Sequence, residues 1–455
     1  MSQDLRSFIE AVRREYPGEI VDVYREVKPQ HETTAILAKL ENGHRSPLLF
    51  FHHLAGCDFP LASNVCGSLN RLGLALGCKP GEISERYAQA CNSLIRPRLT
   101  TQAPVQETVV EGDQLDLNIL PHLVYHEQDT SHPYITAAIV VARDPHSGES
   151  NLSYHRLMIS GRNTTAIYME PGKHLHSIYQ KYERTDQPMP IAAFIGAHPL
   201  WSLGALFSGA QEIEEYEIIG GLQGEPLDVV ECVTQASLQV PAAAEFVLEG
   251  VVPSQKRIEE GPFGEFTGYS IGSLSTPVFQ VQAMTYRRNP IFQDITSGHR
   301  EHLILPVPSM EHHLLGLARK CVPAVQKVKM VAPLSLVVTL DKSDDSQPRS
   351  VIEALLKGDI YTKLVIVLDS GANMGDLREV LTSVALQVQP DRDVFIFTDQ
   401  PGTPLDPSCD SLDGQTSKLG IDATRPLSPR RPIHRNVVPQ DILDSIDLSE
   451  LLGQG

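Results

Sequence analysis

Apolar residues near the N-terminus recur at helical spacing. Leu5, Phe8, Ile9 and Val12 share one face of the segment 4–15, which predicts an amphipathic helix. A β-like stretch over 19–27 follows, then a second helix over 32–40, and the run SPLLFFHH at 46–53 reads as a buried strand. Alternation of such pieces predicts a small α/β domain over residues 1–105.

The pattern then becomes β-rich. YITAAIVVARD from Tyr134 ends at the turn DPHSGES, and NLSYHRLMIS and TTAIYME read as a strand pair joined through Gly161-Arg162-Asn163. PLDVVECVT, AEFVLEGVVP and PVFQVQAMTYRRNPIFQDI are further short runs, so residues 106–305 predict a barrel or sandwich. Helical inserts are expected near 174–183 and 210–221. From 306 to 435 helices (MEHHLLGLARKC, DLREVLTSVALQV) alternate with strands (SLVVTLD, KLVIVLD, DVFIFTD), which predicts βαβ units on a parallel sheet. DPSCDSLDGQTSKLG reads as a loop, and the tail 436–455 as a docking helix with Ile442, Leu443, Ile446 and Leu451 on one face. The expected fold class is therefore mixed α/β and β.

Composition narrows the function classes. At 41% hydrophobic and 21% charged residues the chain reads as an ordinary globular protein, long enough at 455 residues for two or three cores. No apolar run approaches the roughly 18–20 residues that a membrane span needs, and the charged N-terminus lacks the apolar core of a signal peptide. A net charge of −18 argues against a nucleic-acid partner. The seven cysteines form no CxxC pair and read as reduced thiols, which places the chain in the cytoplasm.

Five constellations carry candidate chemistry. In Glu259-Glu260-Gly261-Pro262-Phe263-Gly264-Glu265, Gly and Pro exclude a regular helix or strand interior, so the segment is a shaped loop. It is either a solvated acidic turn or a device aiming two carboxylates into one cleft, where like charges keep one protonated. In Asn151-Leu-Ser-Tyr-His-Arg156, an extended strand puts Asn151, Ser153 and His155 on one face and Arg156 on the other unless the strand bulges. A buried Arg156 would need a carboxylate, which Glu260 or Glu265 can supply. His174 in Pro171-Gly-Lys-His174 is a ligand or a helix start. The acidic run Glu212-Ile-Glu214-Glu215-Tyr-Glu217 is a solvated face or carries one inward Glu. Asn, His and Glu together suit Mn²⁺ or Mg²⁺ better than a thiolate-seeking metal. Ser297-Gly-His299-Arg300-Glu301-His302 reads as a pocket rim or a capped helix start.

Together these residues resemble the UbiD family of decarboxylases, which use prenylated FMN. The likeness spans most of the chain: the opening DLRSFIEAVRREYPGEIVDVYREV, the Glu260-Gly-Pro-Phe-Gly-Glu265 loop as its most specific motif, and QPDRDVFIFTD followed by SKLGIDATRP. The resemblance implies a central split β-barrel that binds the flavin, between an N-terminal and a C-terminal α/β domain. It implies that Asn151, His174 and Glu215 hold a divalent metal, usually manganese, against the cofactor phosphate, with Glu212 as the alternative within the acidic run. Ser153, Tyr154, His155 and Arg156 belong to the flavin-binding stretch. Lys418 matches a phosphate-contacting lysine, with Lys173 beside it, and potassium is implied nearby. Arg156, Glu260 and Glu265 match the family's catalytic triad.

The implied reaction is a reversible, non-oxidative decarboxylation of an aromatic, heteroaromatic or α,β-unsaturated acid. It runs through a covalent adduct with prenylated FMN, with Glu265 as proton donor. His299 and Arg300 would meet a second polar group of the substrate. The chain is shorter than members acting on cinnamic acids, and Ser297–His302 looks closer to members acting on heteroaromatic or polyaromatic acids. A flavin prenyltransferase as cofactor supplier and a homodimer or larger homo-oligomer are also implied. The competing readings are an FMN-dependent oxidoreductase on a split barrel, which lacks a convincing nicotinamide motif, and a non-catalytic carrier of the prenylated flavin, which has no use for the two glutamates.

Overall fold

The protein, analysed as a computed structural model, is described over residues 4–209, 213–409, 414–428 and 436–448. The first helix, Leu5–Glu15, starts where Asp4 accepts the Ser7 N–H at 2.8 Å and Ser7 returns the contact to the Asp4 N–H, and it buries Leu5, Phe8, Ile9 and Val12 as the spacing predicts. The β-like stretch shortens to Ile20–Val23. Tyr24 turns outward at 68% exposure, and only Val27 rejoins, as a bridge to Leu54. Ile20–Val23 opens a four-stranded sheet followed by Leu48–Phe51, Leu61–Ser63 and Phe292–Asp294. The last strand pairs with residues 231 positions upstream, Phe292 with Leu61, so sequence distance hides this pairing.

The central unit is a split barrel built on a ten-stranded antiparallel sheet. Its order is Tyr134–Ile135, Leu157–Gly161, Thr164–Ile167, Leu274–Tyr286, Phe246–Val252, Met189–Ile195, Ile139–Arg143, Ser150–Tyr154, with Arg257–Glu260 and Thr108–Glu111 beside the long Leu274–Tyr286 strand. The apolar run Ile139–Ala142 is continuous because both faces are covered. Ile139 and Val141 enter the core shared with the N-terminal helices, while Val140 and Ala142 enter a second core with Phe246, Phe279 and Phe292. Truncating one of these buried phenylalanines to alanine costs about 3–5 kcal/mol. The expected inserts are the helices His174–Arg184 and Glu215–Gln223; residues 210–212 lie outside the described ones.

The C-terminal domain corrects two expectations. Its sheet is mixed rather than parallel. Ser335–Leu340, Leu364–Asp369 and Gln415–Ala423 run parallel at the centre, and Val325–Ala332 and Val394–Pro401 pair antiparallel at the edges. The last six residues of the segment read as a loop ending at Gly420 belong to the strand Gln415–Ala423. Its polar surface hid it: Lys418 is buried, and a Cβ on Gly420 would come within 2.1 Å of Ile352, so only a glycine lets that helix residue seat. The tail shows a short helix, Gln440–Asp444, with Ile442 and Leu443 exposed, as is Ile446; Leu451 lies outside the described residues. Among the described residues no helix is long and apolar enough to cross a membrane.

Candidate active site

The strand Ser150–Tyr154 pairs with Ile139–Arg143, setting Asn151 opposite Ala142 in the buried layer. Asn151 Nδ2 donates to Glu215 Oε1 at 3.0 Å, and the Leu152 N–H donates to Glu215 Oε2 at 3.0 Å. Glu215 is the first residue of its helix, where the dipole favours an anion, yet burial pushes its carboxyl up to about 7. The structure sorts the acidic run. Glu214 accepts the Ser150 N–H at 2.6 Å, Glu217 pairs with Arg96 at 3.1 Å, and Glu212 lies outside the described residues.

A relay continues from Asn151. The Ser153 hydroxyl lies 3.1 Å from Asn151 Oδ1 and 2.9 Å from His155 Nε2, and His155 Nδ1 lies 2.7 Å from the Tyr168 carbonyl. Burial pushes His155 down to about 4, so it is neutral. The carbonyl demands the proton on Nδ1, and Nε2 is then an acceptor. The single Ser153 proton serves either neighbour. When it turns to His155, Asn151 Oδ1 keeps its lone pairs for a cation. An amide oxygen beside a buried carboxylate fits a hard divalent ion. His174 opens the helix His174–Arg184, which packs against the strands Ile139–Arg143 and Ser150–Tyr154. Lys173 precedes it, with its ammonium 4.6 Å from the Tyr361 ring centre.

Arg156 escapes the strand's alternation because the strand ends at Tyr154 and the next begins at Leu157. Its side chain is buried between the rings of Tyr168 and Phe263, at 4.5 and 5.1 Å. Nε and Nη2 grip Glu260 at 2.9 Å each, and Nη1 donates a short bond to Glu265 Oε1. Tyr134 adds its hydroxyl to Glu260 Oε1 at 2.8 Å. A guanidinium thus stands between the two carboxylates instead of leaving them facing one another. Exposure tells them apart: Glu260 is 1% exposed and Glu265 9%. Glu260 is an internal strut, and Glu265 is the carboxylate that reaches accessible space.

The loop between them is braced throughout. Gly261 sits at φ +92°, a region that favours glycine. Asp129 Oδ1 accepts the Gly264 N–H at 2.8 Å, the Thr130 N–H meets the Pro262 carbonyl at 2.9 Å, and Ser297 Oγ donates to the Gly264 carbonyl at 2.6 Å. The sequence reading did not single out Asp129, Tyr134 or Tyr168, and nothing local marks them. His302 was within reach of it. It lies three residues, one helical turn, after His299. It approaches Phe266 with ring centres 6.2 Å apart, and burial pushes it down to about 4, with the Arg156 charge adding to the effect.

The remaining expected residues lie farther out. His299 Nδ1 is 2.8 Å from Glu41 Oε2 and its ring stacks on His126 at 6.2 Å, while Arg300 is exposed and gives its backbone N–H to Glu41 at 3.2 Å. Lys418 is not brought into the Asn151–Glu215 cluster. Its ammonium donates to the Leu356 and Asp359 carbonyls, at 2.6 and 2.7 Å, at the end of the helix Gln347–Gly358. The arrangement as a whole offers an anchored guanidinium, a reachable acid and, beside them, a buried oxygen pair suited to a cation.

Three family profiles match the chain, described as the N-terminal, Rift-related and C-terminal domains of 3-octaprenyl-4-hydroxybenzoate carboxy-lyase, over residues 13–91, 98–300 and 308–423. Anhydromevalonate phosphate decarboxylase of Methanosarcina mazei is 30% identical over 431 residues, 93% of this chain and 97% of that protein. Phenolic acid decarboxylase of Sedimentibacter hydroxybenzoicus is 30% identical over 455 aligned positions, 94% of this chain and 92% of that protein. Among solved structures, the UbiD-class enzyme HmfF from Pelotomaculum thermopropionicum in complex with FMN superposes with a TM-score of 0.89 at 34% identity, over 98% of this chain and 100% of that one. The closed form of the vanillic acid decarboxylase of Sedimentibacter hydroxybenzoicus gives 0.90 at 28% identity, over 100% of both chains.

Proposed function

Because this chain belongs to the UbiD family of carboxy-lyases, we propose that it removes CO₂ reversibly and without net oxidation from an aromatic, heteroaromatic or α,β-unsaturated acid, with Glu265 as the proton donor. The observation that carries this reading is the Arg156 clamp: two carboxylates share one guanidinium, and only Glu265 reaches accessible space.

Prenylated FMN, when bound, would supply the electron sink that takes up the pair left by CO₂. HmfF has been solved with FMN and, in an evolved dimeric form, with the prenylated flavin, which supports that cofactor here. The chain's own residues do the rest. Asn151, His174 and Glu215 would hold Mn²⁺ or Mg²⁺ beside the cofactor phosphate, with K⁺ nearby, and Ser153, Tyr154 and His155 would line the flavin. Arg156, fixed by Glu260, orients Glu265 and the substrate carboxylate. Glu265 delivers the proton to the carbon that lost CO₂. His299 and Arg300 would meet a second polar group of the substrate. A flavin prenyltransferase supplies the cofactor, and the seven free thiols suit a reducing cytoplasm. A homo-oligomer completes the reading.

The test is CO₂ release by protein co-produced with a flavin prenyltransferase and supplied with Mn²⁺ and K⁺. The panel holds cinnamic, furoic, furandicarboxylic, pyrrole-carboxylic and polycyclic aromatic acids, with vanillic acid and anhydromevalonate phosphate added from the relatives. Release from one class, lost in Glu265→Gln, supports the reading. A protein that carries the prenylated flavin yet releases CO₂ from none of them would favour the carrier.

A further inference from the structure

The C-terminal domain reaches the candidate site through Tyr361. This residue lies in the link between the helix Gln347–Gly358 and the strand Leu364–Asp369. Its hydroxyl donates a short bond to Glu170 Oε2, its ring lies 4.6 Å from the Lys173 ammonium, and it meets Phe266 edge-to-face with centres 6.0 Å apart. Glu170 and Lys173 bracket the turn that leads into His174; Phe266 follows Glu265 directly. Glu170 Oε1 is buried without a hydrogen-bond partner among the described residues, so this carboxylate depends on the Tyr361 hydroxyl. The link itself is pinned: Lys418 donates to the Leu356 and Asp359 carbonyls, and Thr362 Oγ1 donates to Asp359 Oδ2 at 2.6 Å.

We propose that Tyr361 is a positioning residue for the reaction, tying the turn before His174 to the Phe266 side of the Glu265 loop, and that Lys418 serves it by holding the link. A tyrosine suits the task because both of its parts are used. The hydroxyl takes the carboxylate, and the ring takes the ammonium on its face and packs edge-to-face with the phenylalanine. Phenylalanine would keep the ring contacts and release Glu170; alanine would release all three.

This inference rests on the function proposed above, and its test separates the two. Full-length parent, Tyr361→Phe and Tyr361→Ala are compared in fluorescence titrations with FMN and Mn²⁺, in CO₂ release, and in amide hydrogen exchange over residues 168–176 and 262–269. Tyr361→Phe is expected to weaken FMN retention about tenfold through loss of a charge-assisted bond. Tyr361→Ala is expected to lower kcat by about a hundredfold through misplacement, with a smaller change in KM. Exchange should rise in both segments for Tyr361→Ala while the C-terminal sheet stays protected. Parent-like exchange in both segments together with parent-like FMN retention in both variants overturns the proposal. A parent that binds no flavin overturns the function reading alone, because the exchange comparison still decides the role of Tyr361.

Discussion

Two buried polar corners of one barrel follow opposite electrostatic plans. At the Arg156 corner the protein provides both signs of charge: Glu260 takes two of the guanidinium's bonds, Glu265 takes one, and two aromatic rings cover its faces. At the Glu215 corner the carboxylate receives an amide and a backbone N–H, and among the described residues no Lys or Arg pairs with it. Burial therefore raises its pKa to about 7. A corner that holds its cation between two carboxylates is preorganised before any ligand arrives. One with a carboxylate and an amide oxygen but no paired Lys or Arg is where the function proposed above would put its cation. The contrast separates residues that act from residues that hold.

The largest effect that sharpens this contrast is expected at Glu265. Glu265→Gln keeps the shape and removes the proton, so CO₂ release should fall by about 10²–10⁴-fold, the usual range for a general acid, with flavin content by absorbance unchanged. Loss of flavin together with activity would move Glu265 to the holding side. Next comes the strut. Glu260→Ala strips Arg156 of its bidentate partner inside the protein and should destabilise the fold by about 3–5 kcal/mol in denaturant unfolding. A cost under about 1 kcal/mol would show that solvent reaches this corner. Third, Mn²⁺ at a hundred times its dissociation constant should stabilise the parent by about 2.7 kcal/mol, and Glu215→Gln should erase that gain while leaving Arg156 and Glu265 in place. A metal-induced shift that survives in the variant breaks the assignment.

The smallest effect concerns pH, at a third buried carboxylate. Glu301 accepts the Cys66 N–H at 2.6 Å on one oxygen, the other is buried without a partner among the described residues, and burial pushes the group up to about 8. A raised carboxyl favours the fold fully below its ordinary value near 4.5, and that contribution is lost as pH rises through about 8. Unfolding temperatures should therefore decline across that window in the parent, and the decline should be shallower in Glu301→Gln. An equal slope in both would show that Glu301 ionises freely in the folded protein.

Much of the Arg156 corner was legible because its residues announce themselves. Gly and Pro between two glutamates cannot sit in a regular element, and an arginine in an apolar β run needs an acid. The braces of that corner were not legible. Asp129 and Tyr134 are ordinary side chains 135 residues from Gly264 and 126 residues from Glu260, and only folding brings them together. The same holds for the strand Gln415–Ala423, whose buried lysine and glycine contradict the apolar signature of a central strand. Lys418 shows the limit most plainly. A lysine in a polar run looks like a ligand contact, yet the Leu356 and Asp359 carbonyls, 62 and 59 residues away, accept its hydrogen bonds.

The sequence by itself determined the elements whose periodicity is local and the shaped acid loop, because those depend on residue type and near neighbours. Tertiary structure alone decided which described glutamate of the acidic run turns inward, which of the two loop carboxylates is enclosed and which reaches accessible space, and how the C-terminal domain reaches the site. Burial and charge pairing are set by the parts of the chain that pack against a residue, and those lie far from it in sequence.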